Sequence, residues 1–391
     1  MAGWLFPFYL ALIFIGFILL RTPGATSAGQ ELGVVRAVFT SVNAATLTGF
    51  PQTIQVDSFR PLGQGAVFLL IVCGSVFSLV IGGTAMTRIL RLGYSDRQIL
   101  RAVLSAEAAA IGLGTFFLLF DKERTVWQAI FTSASAFGNA GLILGPPPGI
   151  AAWQTQLGVL PLIVCGGLGI CVLMEVFDRL RGRTPAISAH ARTVLGMTAW
   201  MYIGGTILLM ILNWTGEADA GALRSRLVSS SAAAVASRTG GMGLVEPERM
   251  TRAAVWGVML LMAVGGASGG AAGGIKTSSL VEVFRGVRGA LLGRAVRRSF
   301  GIAACWVGMY LLLVLVSLLL LLRVMPQIPA DRVLFLAVSA ASNVGLSHEP
   351  LSPDPLAAFV LSGTMIVGRF APMMVIWWMA DTTKDAELAV G

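Results

Sequence analysis

Four short stretches hold residues whose types and spacing could do chemistry: Thr46-Leu47-Thr48-Gly49-Phe50, Gly138-Asn139-Ala140-Gly141-Leu142, Arg238-Thr239-Gly240-Gly241-Met242 and Ser342-Asn343-Val344-Gly345-Leu346. The chemistry is coordination by the backbone. A dehydrated alkali cation inside a bilayer needs oxygen ligands to replace its water, and rings of backbone carbonyls supply them without a fixed charge that would trap it. Aiming successive carbonyls at one axis demands backbone angles that glycine adopts without a Cβ penalty. The plain alternative is that glycine in membrane helices serves close packing. With 47 glycines in the chain many do, and Gly82-Gly83 and Gly204-Gly205 are read that way.

The four stretches belong to a repeat, which decides the architecture. With Gly49, Gly141, Gly241 and Gly345 in register, Phe39, Phe131, Ser231 and Phe335 stand ten residues upstream. Downstream, Ile71-Val72-Cys73-Gly74 aligns with Ile163-Val164-Cys165-Gly166 and with Ala263-Val264-Gly265-Gly266. The fourth copy, Val367-Gly368-Arg369-Phe370, has drifted in this register, which sets Arg369 against Cys73, Cys165 and Gly265.

Before each stretch lies a segment too short to cross a bilayer, over 32–45, 126–137, 222–237 and 332–341. On either side are apolar runs long enough to span, at about 20 residues each: 4–20, 63–86, 99–120, 155–176, 194–213, 253–284 (interrupted), 300–322 and 355–379. The expected fold is an all-α membrane protein of four helix–pore-loop–helix repeats in pseudo-fourfold arrangement, with eight transmembrane helices and four re-entrant pore helices. The repeats divide the chain at 1–90, 91–180, 181–290 and 291–391. Each pore helix would point its partially negative C-terminal end at the ion path.

Composition agrees: the chain is 56% hydrophobic and 12% charged, where a soluble domain carries about a quarter charged residues. The net charge of +9 lies in linkers such as Arg88 to Arg101, Arg179 to Arg192 and Arg285 to Arg298, including Arg297. The positive-inside rule puts these in the cytoplasm, and no nucleic-acid partner is called for. The acidic loops, with Asp57, Asp121, Glu123, Asp219, Glu246, Glu248, Glu349 and Asp354, then face outside, and both termini are cytoplasmic. Two outer loops, 145–149 and 350–355, are rich in Pro and Gly and cannot continue a helix. Residues 4–20 lack a basic leader and have only a weak cleavage-like site at 25–28, so they read as a retained first helix. Cys73, Cys165, Cys171 and Cys305 fall inside apolar runs and form no disulfide or metal pattern.

A second motif, from Gly265 and Gly266 through Gly269, Gly270, Gly273 and Gly274 to Lys276, interrupts the sixth span. So many glycines, at about 1 kcal/mol each, do not hold a helix. Non-helical backbone at membrane depth survives only inside protein or against water, so this stretch is either a gate across the path or a loose cytoplasmic connection with Lys276 at the membrane exit. Arg369, inside an apolar run, is expensive unless it faces a cavity or a partner. It is either a positive barrier beside the path or a cap on carbonyls of the Gly-rich stretch. Glu107 reads as a hydrogen-bonded helix carboxylate. His190 and His348 have no metal-ligand company.

Taken in order, Thr48-Gly49-Phe50, the stretch from Ser135 to Gly141, Arg238 to Gly241, Asn343 to Leu346, the Gly-rich stretch ending in Lys276 and Gly368-Arg369-Phe370-Ala371-Pro372 resemble the Trk/Ktr/HKT superfamily of potassium transporters. The resemblance implies gated potassium uptake across the inner (plasma) membrane. It implies a filter in which K+ is held by the carbonyls of Thr48, Gly49, Asn139, Ala140, Gly141, Thr239, Gly240, Gly241, Asn343, Val344 and Gly345. It also implies a gate around the glycines from Gly265 to Gly274, Lys276 and Arg369, and a homodimer in membrane lipid. The regulatory partner would be a cytoplasmic nucleotide-binding ring, so ATP, ADP or NAD acts only through that partner. The chain has Gly138-Asn139 where the family often has two Asn, and Ser342-Asn343 where it often has Gly-Thr. Starting almost at once with its first helix, it is more similar to the Ktr branch, and Gly49 in place of Ser favours potassium over sodium. Competing readings are the ion-translocating subunit of an ATP-driven pump, a Na+-permeable or Na+-coupled transporter, and, weakest, a membrane enzyme. The Gly-rich stretch is not a phosphate-binding loop, and no nucleophile, base and metal set is present.

Overall fold

The computed structural model describes residues 2–27, 32–52, 55–214, 220–295, 298–348, 351 and 354–388. Asp219, Arg297, Glu349, Ala28 and much of the 350–355 breaker lie outside them. The described chain is helical and its only β pairings are isolated bridges. The elements are α1 (Ala2–Arg21), α2 (Val34–Ala45), α3 (Pro61–Ile89), α4 (Asp96–Leu118), α5 (Val126–Gly138), α6 (Leu160–Leu168), α7 (Ile170–Leu180), α8 (Ala189–Leu212), α9 (Ala220–Val235), α10 (Arg252–Ala263), α11 (Thr277–Leu291), α12 (Arg298–Val324), α13 (Ala330–Ala341) and α14 (Pro355–Leu388). Short π-helical turns lead into α6 at Thr155–Val159 and out of α9 at Ala236–Gly240.

Local chemistry sets the ends of these helices. Ser95 with Gln98 and Thr125 with Gln128 form capping boxes that start α4 and α5, each satisfying two otherwise orphaned amides. Ser188 and Thr251 cap α8 and α10, and Pro61 opens α3, where its missing N–H costs nothing.

Helices α3, α4, α8, α12 and α14 are each long and apolar enough to cross a membrane. Their outward faces carry Leu113, Phe116, Ile211, Leu311 and Phe359 with more than half of each side chain exposed, as lipid-facing residues are. The interior is unusual. Residues 39–50, 131–142 and 339–346 are buried almost without interruption, and they include Thr40, Ser41, Asn43, Thr132, Ser133, Ser135 and Ser339. A multi-pass membrane protein has here placed its polar backbone and hydroxyl groups inside and its leucines outside, the arrangement a lipid solvent demands.

One expected span is broken in the middle. Residues 155–176 read as one crossing, but α6 and α7 bend by 107° at Gly169. Gly169 sits at φ 83°, ψ 149°, a conformation open essentially to glycine alone. Helix α7 leaves the bend with Phe177 and Leu180 exposed beside Arg179 and Arg181. The other interruption, between α10 and α11, falls where the glycines predict it.

Candidate functional site: a ring of four loops

Helices α2, α5 and α13 end alike. The amides of Leu47 and Thr48 donate to Ala44 and Asn43, those of Asn139 and Ala140 to Ala136 and Ser135, and those of Asn343 and Val344 to Ala340 and Ser339. This is the paired Schellman termination, with Leu47, Asn139 and Asn343 left-handed at φ 56°, 55° and 52°. Asn tolerates that region, whereas Leu47 holds it at a cost of about 1–2 kcal/mol. The third loop departs: α9 runs into its π-turn, Gly241 N donates to Ala236 O, and the positive angles fall on Gly241, Met242 and Gly243.

Past these caps the four loops meet backbone to backbone. A Cβ on Gly49 would collide with the carbonyl of Ala140, and one on Gly345 with the carbonyl of Thr48. One on Gly241 would lie 2.6 Å from Val344 O, and one on Gly141 would lie 3.2 Å from Thr48 O and 3.3 Å from Gly240 O. The ring therefore closes in chain order, first loop to second, third, fourth and back to first. The carbonyls against the glycines belong to Thr48, Ala140, Gly240 and Val344, each the residue before its own registered glycine. Eight of the eleven candidate residues, Thr48, Gly49, Ala140, Gly141, Gly240, Gly241, Val344 and Gly345, thus come together directly, Asn139, Thr239 and Asn343 are their neighbours in the chain, and the Thr239 side chain lies outside the described positions.

Side chains brace the ring from behind. Asn43 Oδ1 accepts from the amides of Gly49 and Phe50, both at 2.9 Å, and its Nδ2 donates to Phe50 O. Asn343 Nδ2 donates to Thr48 Oγ1 and to Met365 O, each at 3.0 Å. A cavity of about 220 Å³ opens over Gly49, Gly141, Gly243 and Gly345, with Asp57 in its wall. Asp57 Oδ1 accepts from Gly145 N at 2.6 Å.

The Gly-rich stretch is an ordered, buried strap, not a loose connection. Val264 and Ile275 pair as its two ends. Ala267 N and Ala271 N donate to the carbonyls of Gly167 and Gly166, and Gly273 backs onto the carbonyl of Ser342. Gly82 faces Gly269 so closely that a Cβ on it would lie 2.4 Å from Gly269 Cα, too near for any side chain to fit, and Gly169 abuts Gly269 and Gly270. The strap thus touches the first, second and fourth units. Gly82, set aside as ordinary packing, and Gly169 both belong to its bed.

Arg369, 2% exposed, joins strap to ring. Its Nη1 donates to Ala271 O, its Nε and Nη2 to Thr46 O, and its Nη2 also to Leu47 O at 3.3 Å. Lys276 folds back to donate to Ala272 O. Arg238, not singled out in the sequence as a site, is 8% exposed and donates to Gly265 O at 2.9 Å. Three buried cations thus hold strap or loop carbonyls, and among the described residues none has a carboxylate partner within ion-pair distance. Elsewhere, Ser75 donates to Glu107 Oε2 at 2.9 Å, while Oε1 has no partner.

The alignment of the fourth unit needs correction. Gly74, Gly166 and Gly368 each press on a carbonyl near the end of their own short helix, those of Ala45, Phe137 and Ala341. Gly368 therefore does the work of Gly74 and Gly166. The fourth unit has not drifted: its connection is two residues shorter, and Arg369 is the counterpart of Ser75 and Gly167, not of Cys73 and Cys165. Glycine is required there because no Cβ fits where the long helix crosses the short one.

Comparison with known proteins agrees with this architecture. The chain is 27% identical to the potassium/sodium uptake protein NtpJ of Enterococcus hirae over 97% of this chain and 92% of that protein. It is 26% identical to the Ktr system potassium uptake protein B of Bacillus subtilis, again over 97% and 92%. The fold superposes on the potassium transporter TrkH from Vibrio parahaemolyticus with a TM-score of 0.73 at 16% identity, covering 95% of this chain and 83% of that one. Residues 114–380 match the TrkH family of cation transport proteins, and the chain belongs to that family.

Proposed function

We propose that the chain takes up potassium ions through a gated, channel-like pore, with the four-loop ring as selectivity filter and the strap from Val264 to Lys276 as its gate. The observation that carries this is the closed backbone ring, in which Thr48, Ala140, Gly240 and Val344 offer carbonyls and no charge, the donor set a dehydrated alkali cation accepts and then releases. Four helix–loop–helix units round one axis, eight crossings and cytoplasmic termini complete the reading. The names of the relatives from Enterococcus hirae and Bacillus subtilis support potassium as cargo. The former name also includes sodium, so sodium competition belongs in the test.

The test is rubidium or potassium flux into proteoliposomes, with and without sodium. Gly345→Ser is the sharpest variant, because its Cβ would strike the Thr48 carbonyl at φ 78°, so potassium-over-sodium preference is expected to fall. Flux absent from correctly folded protein, or selectivity untouched by this substitution, sinks the proposal. A homodimer and a nucleotide-binding cytoplasmic partner are the proposed assembly, checked by co-purification from the native membrane.

A further inference from the structure

Beneath the strap lies a second cavity, of about 390 Å³. Its walls come from the end of α3, the starts of α8 and α12, and from α11 and α14. These are the helix ends that join the arginine-rich linkers, so it opens on the side assigned to the cytoplasm. Its size suits part of an amphiphile.

The wall has two characters. One part is apolar, with Ile89, Ile302 and Val375. The other is cationic, with Lys276 and Arg285, and its one carboxylate, Glu282, is already engaged by Arg285 at 3.1 Å and by Ser299 at 2.7 Å. Two buried donors are not fully engaged. Trp306, 6% exposed, has an indole N–H with no partner. Lys276, also 6% exposed, has three donors, of which one is taken by Ala272 O. A cationic, half-apolar vestibule is a poor waiting room for a cation and a good seat for an anionic amphiphile.

We propose that this cavity receives the phosphate headgroup of an anionic phospholipid from the cytoplasmic leaflet, bound by Lys276, Arg285 and the Trp306 N–H, and that its arrival loosens the strap. Basic pockets between membrane helices on that side suit such headgroups, and the apolar wall selects a lipid over free phosphate. Phosphate oxygens compete with Ala272 O for Lys276, and the strap loses a tether at its C-terminal end. This regulation rests on the strap being the gate.

The experiment compares the purified full chain in phosphatidylcholine vesicles with vesicles containing phosphatidylglycerol, reading rubidium flux, and reads retained phosphatidylglycerol separately by native mass spectrometry. Flux about tenfold higher with the anionic lipid is expected, the effect of releasing one charge-assisted hydrogen bond, together with retained lipid. Arg285→Gln with Trp306→Phe is expected to abolish retention and the difference between the bilayers. Trp306→Phe alone, which keeps the bulk of the ring, replaces the pair if it does not fold. Equal flux in the two bilayers without retained lipid overturns the proposal, as does full substitution by inorganic phosphate in neutral vesicles. Retained lipid with no flux in any bilayer instead sinks the transport reading.

Discussion

Arg369 allows a bridge to be separated from a barrier. Its guanidinium spans strap and ring, with Ala271 O on one side and Thr46 O and Leu47 O on the other. One charge-assisted hydrogen bond to the strap is worth about 1.5–3 kcal/mol. If the strap exchanges between closed and open states, losing that bond favours the open state by about tenfold to a hundredfold, since each 1.4 kcal/mol is tenfold. Arg369→Ala removes bond and charge together. Arg369→Lys is the informative variant, because it keeps the charge but lacks the planar fork that reaches both sides at once. The geometry predicts that both variants raise rubidium flux in proteoliposomes by at least several-fold at equal reconstituted protein. Lys-substituted protein with wild-type flux, and Ala-substituted protein with raised flux, would show that charge and not bridging restrains the ion. Lower flux in both, in protein that elutes and melts like wild type, would refute a restraining role altogether.

Two further substitutions test packing and electrostatics. Gly166→Ala drives a Cβ into the carbonyl of Phe137 and within 2.6 Å of Asn139 Nδ2, so it should destabilise the detergent-solubilised protein by about 1–3 kcal/mol. Gly204→Ala, whose Cβ would meet only Trp200 at 3.6 Å, should leave the melting temperature unchanged, and equal melting of the two variants refutes the crossing argument. Tyr94, in the linker between α3 and α4, donates to Asp178 at 2.8 Å. Burial first, and then that bond, push its phenol well above the ordinary value. A raised folded pKa means the stabilisation is fully present below the unfolded value of about 10 and is lost only as pH rises through the folded one. Tyr94→Phe should therefore lower stability by about 1 kcal/mol, discounted for partial exposure, and by the same amount at pH 7 and pH 9. A gap that closes between those two values contradicts the assignment.

Much of this architecture was legible because glycine marks backbone that no other residue can form. The registered glycines located the ring, and the run from Gly265 to Gly274 located the strap, each from local sequence alone. What stayed hidden depends on contacts distant in sequence. The bend at Gly169 is invisible to hydropathy, since 155–176 is continuously apolar, and Gly166-Gly167 had already been absorbed into the repeat. The strap that lies against it is about a hundred residues away in the chain. Arg238 sat in plain view inside the third stretch. Its role depends on α10 ending at Ala263, so that Val264 and Gly265 turn their carbonyls toward it. The two-residue shift in the fourth unit was missed because alignment by the ring glycines fixes only one end of each unit, whereas the helix crossing fixes the other.

That shift changes what the asymmetry means. At the position after the crossing glycine stand Ser75, Gly167 and Arg369. Ser75 reaches outward to Glu107, Gly167 gives its carbonyl to Ala267 of the strap, and Arg369 reaches inward to strap and ring together. The third unit has no such crossing and supplies the strap itself. Four copies of a single short chain would have to place four arginines here, or four straps, and neither fits: four guanidiniums in one buried ring would repel with no carboxylate to offset them. Joining the units in one chain lets one carry the cation, one the strap and one the glycine carbonyl that seats it. If the strap is the gate and the ring the filter, as proposed, residues that control opening should concentrate at this one position and its contacts, while substitutions at the registered ring glycines should change selectivity.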